Sequence, residues 1–474
     1  MPMNETGQTA IVSSTRRTGL SLASMFAYGT GNFAMALLGL VVAVNLQFFY
    51  TDYVGLSAGL VAWSLLLARL FDAFTDPLMG HLSDRTNTRW GRRRPYFLGA
   101  AIPLSICFYF LFSPPAFDHP EDHQGLLWGY MLAWYVAMYF VWTIASVPYY
   151  SLGAELTDDY QELVKVIAVR EVCSLTGLLL ATVLPAYLIY YYGVRQGYSF
   201  MAAILGVGLA VFLMIAGLTT KERKEFQGRP SMGPYKGWLQ TMRNPHFRAL
   251  LWAFVFSAIA AAIPGVLVMF ISTYIVGTPD WWFDIAPAWL PPWSYYLLIY
   301  FFFGMLALPL WNWISHSLGK RVTWAIALFI SAAGSLGCGY LSEGTVTYMA
   351  ILFAILGAAF SNNVTLPPSM VADVIDWDEA ETGKRREGSY FAIWAFATKF
   401  CVAVAGFTSL QVLDYVGYAP GEEQTELVKK WLLIMYSWFP ALFYLLAGIA
   451  LYRFKFSRSD LDEAQRRVGR EEKI

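Results

Sequence analysis

Asp72 and Asp76 stand four residues apart in "ARLFDAFTDPLMGHLSDR", a stretch that is otherwise apolar enough to cross a bilayer. Carboxylates at i and i+4 project from one helix face. An ionisable side chain inside a membrane helix costs kilocalories and is a functional-site hypothesis by default. Two like charges side by side also need a proton or cation to neutralise one of them, so the pair predicts a cation site. Arg69 shares their face. A structural cluster in which Arg69 simply pairs Asp72 would leave Asp76 unmatched at low dielectric, which is costly. Thr75 and, two spans later, Thr143 supply the neutral oxygens that a hard cation wants beside carboxylates. Asp72, Asp76, Thr75 and Thr143 are therefore the expected cation ligands, with sodium or a proton as coupling ion and no other cofactor.

Other intramembrane charges extend the pattern. Lys399, in "YFAIWAFATKFCVAVAGF", is a lone ammonium that needs a carboxylate partner, and the aspartates at 72 and 76 are natural candidates. Such a lysine could hold an empty cation site neutral and yield when the ion arrives. Arg69, Lys399 and Glu171 are the expected charge network. Arg170 can reach the interior, where a planar guanidinium hydrogen-bonds two neighbouring hydroxyls. With Asn32, Ser146, Tyr150, Asn362 and Trp394 it forms the expected substrate-binding set. Amides, hydroxyls and aromatic rings together suit a polyhydroxylated ligand, although each alone is more often helix–helix glue.

The elements that must position these residues are membrane helices. The 474-residue chain is 57% hydrophobic and only 14% charged, against about 25% charged in a soluble protein. About 20 apolar residues cross a bilayer as helix, and twelve spans are predicted at 21–50, 57–81, 95–113, 125–152, 163–191, 197–219, 247–276, 293–316, 321–342, 346–372, 389–416 and 428–453. The expected organisation is an N-terminal tail (1–20), a six-helix bundle (21–220), a polar central loop (221–246), a second six-helix bundle (247–454) and a C-terminal tail (455–474). Two such halves fit a secondary transporter with its site between them near the midplane.

Most of the 33 Lys and Arg fall on one side if both termini are cytoplasmic, with Arg195, Lys429 and Lys430 on the other. That bias sets the orientation. No short apolar segment with a small-residue cleavage site opens the chain, so no removed signal peptide is expected. The four cysteines lie inside predicted spans without metal spacing and read as structural thiols. Zero formal net charge gives no argument for a nucleic-acid partner. P-loop, HExxH and GxSxG signatures are absent, so ATP hydrolysis and hydrolase chemistry are not expected. The tryptophans at 281, 282, 289 and 293 read as an interfacial belt, or less readily as a lid.

"FFYTDYVGLSAG", "ARLFDAFTDPLMGHLSDRTNTRWGRRRPY" and "MVADVIDWDE" together resemble the glycoside–pentoside–hexuronide:cation symporter family, whose familiar member is melibiose permease, within the major facilitator superfamily. The resemblance covers about residues 28–454. It implies an all-α polytopic membrane protein with the major facilitator fold, a monomer in a bacterial inner membrane, carrying a sugar or glycoside with a cation by alternating access. It also implies that Asp72 and Asp76 hold the cation with Thr143, that Lys399 lies near them, and that Arg170 contacts sugar. Gly80, Asp84, Arg85, Gly91, Arg92 and Arg93 resemble the superfamily's gating-loop motif, which clamps helix ends in the outward-facing state. Where melibiose permease has a span 4 aspartate four residues before a tryptophan, this chain has Ser146 and Tyr150; its span 1 lysine–aspartate pair corresponds to Met35 and Ala36, and its span 10 tryptophan to Ser361. Melibiose itself is therefore not the expected substrate, and a lysolipid or other amphipathic solute is the alternative cargo.

Overall fold

A computed structural model describes residues 20–153, 156–157, 160–220, 222, 239–383 and 386–454. The two expected tails, apart from Leu20, and much of the central loop lie outside those residues. Among the described residues, twelve helices are long and apolar enough to cross a membrane. Numbered in chain order, they are α1 (Leu22–Phe48), α2 (Ala58–Arg85), α3 (Arg94–Leu111), α4 (Gln124–Gly153), α5 (Tyr160–Tyr192) and α6 (Val194–Thr219). The second half comprises α7 (Pro245–Ile271), α8 (Pro292–Leu318), α9 (Lys320–Gly337), α10 (Val346–Thr382), α11 (Glu387–Tyr415) and α12 (Glu426–Tyr452).

Helix starts follow local chemistry. Ser21, Ser57 and Thr425 accept backbone N–H bonds as N-caps of α1, α2 and α12, which satisfies donors that a helix start leaves free. Asn244 caps α7 directly ahead of Pro245, whose missing N–H is no loss there. Most boundaries shift from the expected ones by one to five residues; the ends of α10 and α9 are instructive. α10, expected to stop at 372, continues ten residues to Thr382, because "ADVIDWDEAET" contains no breaker before Gly383, which ends the helix in the left-handed region at φ 66°. α9, expected to reach 342, gives way after Gly337 to a 3₁₀ turn, Cys338–Tyr340.

Within the first half α1 packs on α5 and α6, and α3 on α4 and α6; in the second, α7 packs on α12 and α8 on α10. The halves meet where α2 lies against α11, α5 against α8 and α1 against α7. Small residues allow the tightest crossings: a Cβ on Gly177 would overlap the Phe33 carbonyl, and one on Gly357 the Tyr300 carbonyl. Phe74, Trp313, Phe329 and Trp438 point outward, as a lipid-facing surface requires. All four cysteines are free thiols, three of them buried. The tryptophan-rich loop between α7 and α8 is partly folded inward. Trp282 and Trp293 are buried, with the Trp282 indole N–H donating to the Leu290 carbonyl at 2.9 Å, while Trp281 remains exposed.

Candidate cation and substrate site

α2, α4 and α11 bring one charged cluster together between the halves. Asp72, on the face of α2 turned inward, is fully buried. Lys399 of α11 places its Nζ 2.8 Å from Asp72 Oδ2 and hydrogen-bonds Asp76 Oδ2 as well. Thr143 of α4 sets its hydroxyl oxygen 2.5 Å from Asp72 Oδ1 and 2.9 Å from Asp76 Oδ1. A hydroxyl has one proton and can donate to only one of them at a time. Its other contact is favourable only if a carboxyl is protonated or a cation lies between the oxygens. Arg69 donates to Tyr139 Oη at 2.7 Å, with its guanidinium carbon 4.1 Å from that ring's centroid, and stands 3.7 Å from Asp72 Oδ2. Two carboxylates thus face two cations, the balance that a low-dielectric site demands.

The expected cation ligand Thr75 is turned away from this arrangement. Its hydroxyl donates to the Asp72 backbone carbonyl at 3.2 Å, the i−3 bond that a threonine in a helix makes readily. Tyr139, absent from the expected set, holds Arg69; its only sequence signal is its place one turn before Thr143 on α4.

A second cluster lies within the first half. Arg170 of α5 pairs with its neighbour Glu171 through Nη2 at 2.7 Å and Nε at 3.1 Å. Its guanidinium carbon is 5.4 Å from the Tyr150 ring centroid. Tyr150 donates to Asn32 Oδ1 at 3.0 Å, and Asn32 Nδ2 donates to the Arg170 carbonyl at 3.4 Å. Glu171 therefore belongs with Arg170 and not with Lys399, which separates it from the expected network: adjacent residues in a helix point about 100° apart, and Arg170 bends back to meet it. Ser146 is buried on α4 between Thr143 and Tyr150.

A cavity of about 490 Å³ joins the clusters, lined among others by Arg69, Asp76, Tyr150, Phe396 and Lys399. It extends to Gly388 in the first turn of α11, so it reaches the end of the molecule that carries the α2–α3 loop. Its volume is that of a small-molecule site. Of the six expected substrate residues only Tyr150 lines it: Arg170, Asn32 and Ser146 of the first half do not, nor do Trp394 and Asn362 of the second. Trp394 is stacked on Phe254, ring centroids 3.8 Å apart, inside the core of the second half. Asn362 is fully buried in α10 with neither amide atom partnered. Aromatic and amide side chains in the same helix pattern serve packing or cavity equally, and only the helix rotation decides between them.

The loop motif is tied to its own half. Arg93 Nη2 bonds Asp84 Oδ1 at 3.0 Å. The N–H groups of Arg92, Arg93 and Arg94 all donate to the Glu222 carboxylate, at 2.6, 2.8 and 2.6 Å. Successive amides at a helix start form an anion cradle. Gly91, at φ +109°, is needed there because a Cβ would collide with the Glu222 carboxylate. Gly80 faces Val147 across the α2–α4 contact, and Arg85 is exposed at the end of α2. Glu222 was not expected from sequence, since nothing local links it to a loop more than a hundred residues earlier.

Residues 27–458 match the family described as MFS/sugar transport protein, and the chain belongs to that family. It is 29% identical to the inner membrane symporter YicJ of Escherichia coli K12 over 92% of each chain. It is 27% identical to the isoprimeverose transporter of Lactiplantibacillus pentosus, covering 91% of this chain and 88% of that one. Among solved structures, the inward-open xylose transporter XylE of E. coli superposes with a TM-score of 0.66 at 15% identity, covering 94% of this chain and 99% of that one. The fold is thus the major facilitator fold, and the protein is a membrane transporter, not an enzyme.

Proposed function

We propose that the protein couples a cation bound at Asp72 and Asp76 to a sugar or glycoside held near Arg170, Tyr150 and Asn32. Cation-coupled symport of a sugar or glycoside is its function; relatives named for isoprimeverose and for glycosides support that cargo over an amphipathic one. The observation that carries the residue assignment is Lys399, whose ammonium bridges the two aspartates that Thr143 also contacts. It acts as a tethered cation between the two carboxylates. When sodium or a proton arrives, the lysine is released from one carboxylate and the contact between α2 and α11 changes. That contact joins the halves, so ion binding biases the opening between them. Coupling of this kind is reciprocal: substrate raises cation affinity by the factor that cation raises substrate affinity.

The basic end of the molecule, with the α2–α3 loop and both termini, is assigned to the cytoplasm of a bacterium, and the functional unit is a monomer. The cavity's reach to Gly388 directs it toward this basic end. The test is uptake of a labelled glycoside panel into proteoliposomes under an inward sodium gradient, an inward proton gradient, or neither. Gradient-driven accumulation lost in Asp72→Asn supports the assignment. Equal accumulation in that variant would overturn it, and lysolipid uptake without glycoside uptake would restore the other cargo.

A further inference from the structure

At the end of the molecule away from the α2–α3 loop, both halves finish their first helix in the same unusual way. α1 runs into a five-residue π-helical turn, Phe49–Tyr53, and α7 into another, Ser272–Val276. Each carries an i→i+5 bond of 3.0 Å, from Val54 N–H to the Phe49 carbonyl and from Gly277 N–H to the Ser272 carbonyl. Each is followed by a glycine at positive φ, Gly55 at 77° and Gly277 at 68°. The sequences align without a gap, "QFFYTDYVG" at 47–55 with "MFISTYIVG" at 269–277. The register equates Phe48 with Phe270 and Asp52 with Tyr274.

These equivalent residues touch each other. The Phe48 and Phe270 rings meet edge to face with centroids 5.1 Å apart. Tyr274 donates its hydroxyl to Asp52 Oδ1, and Tyr418, in the α11–α12 loop, donates to Asp52 Oδ2 at 2.6 Å. The two phenol oxygens are 3.2 Å apart, and Gly421 N–H donates to the Tyr274 oxygen at 3.3 Å. One carboxylate of the first half is thus held by two phenols of the second. Asp52 lies twenty residues beyond Asn32 in the chain, about 30 Å along the axis at 1.5 Å per residue, so it does not belong to the cation or substrate clusters.

We propose that Phe48, Asp52, Tyr274 and Tyr418 form a latch that closes this end of the transport path. Hydrogen bonds to a charged acceptor are among the stronger ones, and the four side chains join the halves only where they are closed. π-turns recur at functional sites because the surplus residue re-aims side chains. Here the two turns aim Asp52 and Tyr274, each three residues before the closing glycine, toward each other across the two halves. Opening this end must separate the carboxylate from both phenols. The latch therefore sets the balance between the two orientations of the carrier without touching cargo. The inference rests on the alternating-access reading above.

The experiment uses the full chain with its four cysteines replaced and a reporter, Leu40→Cys, on α1 beside an inner cavity between the halves. A membrane-impermeant maleimide is added to vesicles of both orientations, so either end can be probed. In Tyr274→Phe with Tyr418→Phe, labelling through the latch end is expected to accelerate about tenfold, equivalent to about 1.4 kcal/mol, while labelling through the basic end slows. Asp52→Asn is the second variant should the first fold poorly, with thermal midpoints as the control. Asp52→Asn and Tyr274→Phe combined should add less than the sum of their effects. Unchanged labelling in folded variants, while glycoside plus sodium still alters labelling of the parent, would overturn the latch alone. A parent whose labelling responds to no cation or glycoside would overturn the alternating-access reading, and the latch with it.

Discussion

The carboxylate cluster and the Arg170 cluster differ in how many halves they join. Asp72, Asp76 and Thr143 belong to the first half, and Lys399 comes from the second. Arg170, Glu171, Tyr150 and Asn32 all belong to the first half. An ion pair that bridges the halves changes when they move, so binding there can drive the transition. A cluster contained in one half moves as a unit and can recognise cargo without driving anything. The cavity touches Tyr150 of the second cluster and Asp76 and Lys399 of the first, so under the proposed assignment a cargo beside Tyr150 would share its space with the bridging pair.

Removing the bridge should have the largest effect. Lys399→Ala leaves two aspartates facing each other, and loss of one partner of a buried pair costs about 3 kcal/mol. Gradient-driven uptake should vanish and the melting temperature fall. Adding Asp76→Asn should recover much of the stability but none of the coupling. If Lys399→Ala still accumulates sugar against its gradient, the bridging cluster is not the coupling device. Next comes Thr143→Val, which removes the hydroxyl shared by both carboxylates. A lost hydrogen bond to a charged group is worth about 2 kcal/mol, so sodium or proton affinity should drop about thirtyfold, with Thr143→Ser restoring it. A titration of ligand-induced thermal shift measures this.

Arg170→Lys should separate the two regions. It keeps the charge but loses the planar fork, so glycoside affinity falls about tenfold while the stabilisation by the cation alone stays as in the parent. Sodium chloride against choline chloride, read as a melting shift of RT ln(1 + [L]/Kd), would expose any loss of cation binding and collapse the distinction. The smallest effect is expected for Trp394→Phe. The ring sits against Phe254 in the core, so it should cost about 1 kcal/mol of stability with glycoside affinity unchanged. A large affinity loss would return Trp394 to the site.

Twelve spans, two halves and the carboxylate pair were legible from sequence because each depends on local composition or on helical spacing. An apolar run of about 20 residues must cross the bilayer wherever it packs, and Asp72 and Asp76 share a helix face in any fold. Lys399 was legible as a charge needing a partner, since burial without one is too costly. Tertiary structure alone decided the rest. It showed that Lys399 reaches both aspartates, that Thr75 bonds back to the Asp72 carbonyl of its own helix, and that of the expected substrate residues only Tyr150 lines the cavity. Helix rotation against neighbours fixes those outcomes, and periodicity does not encode it when a helix is apolar all round. The match between residues 47–55 and 269–277 was present in the sequence throughout. It is short, and it becomes a signal only when folding brings Asp52 and Tyr274 together, because two distant segments acquire a shared meaning through contact.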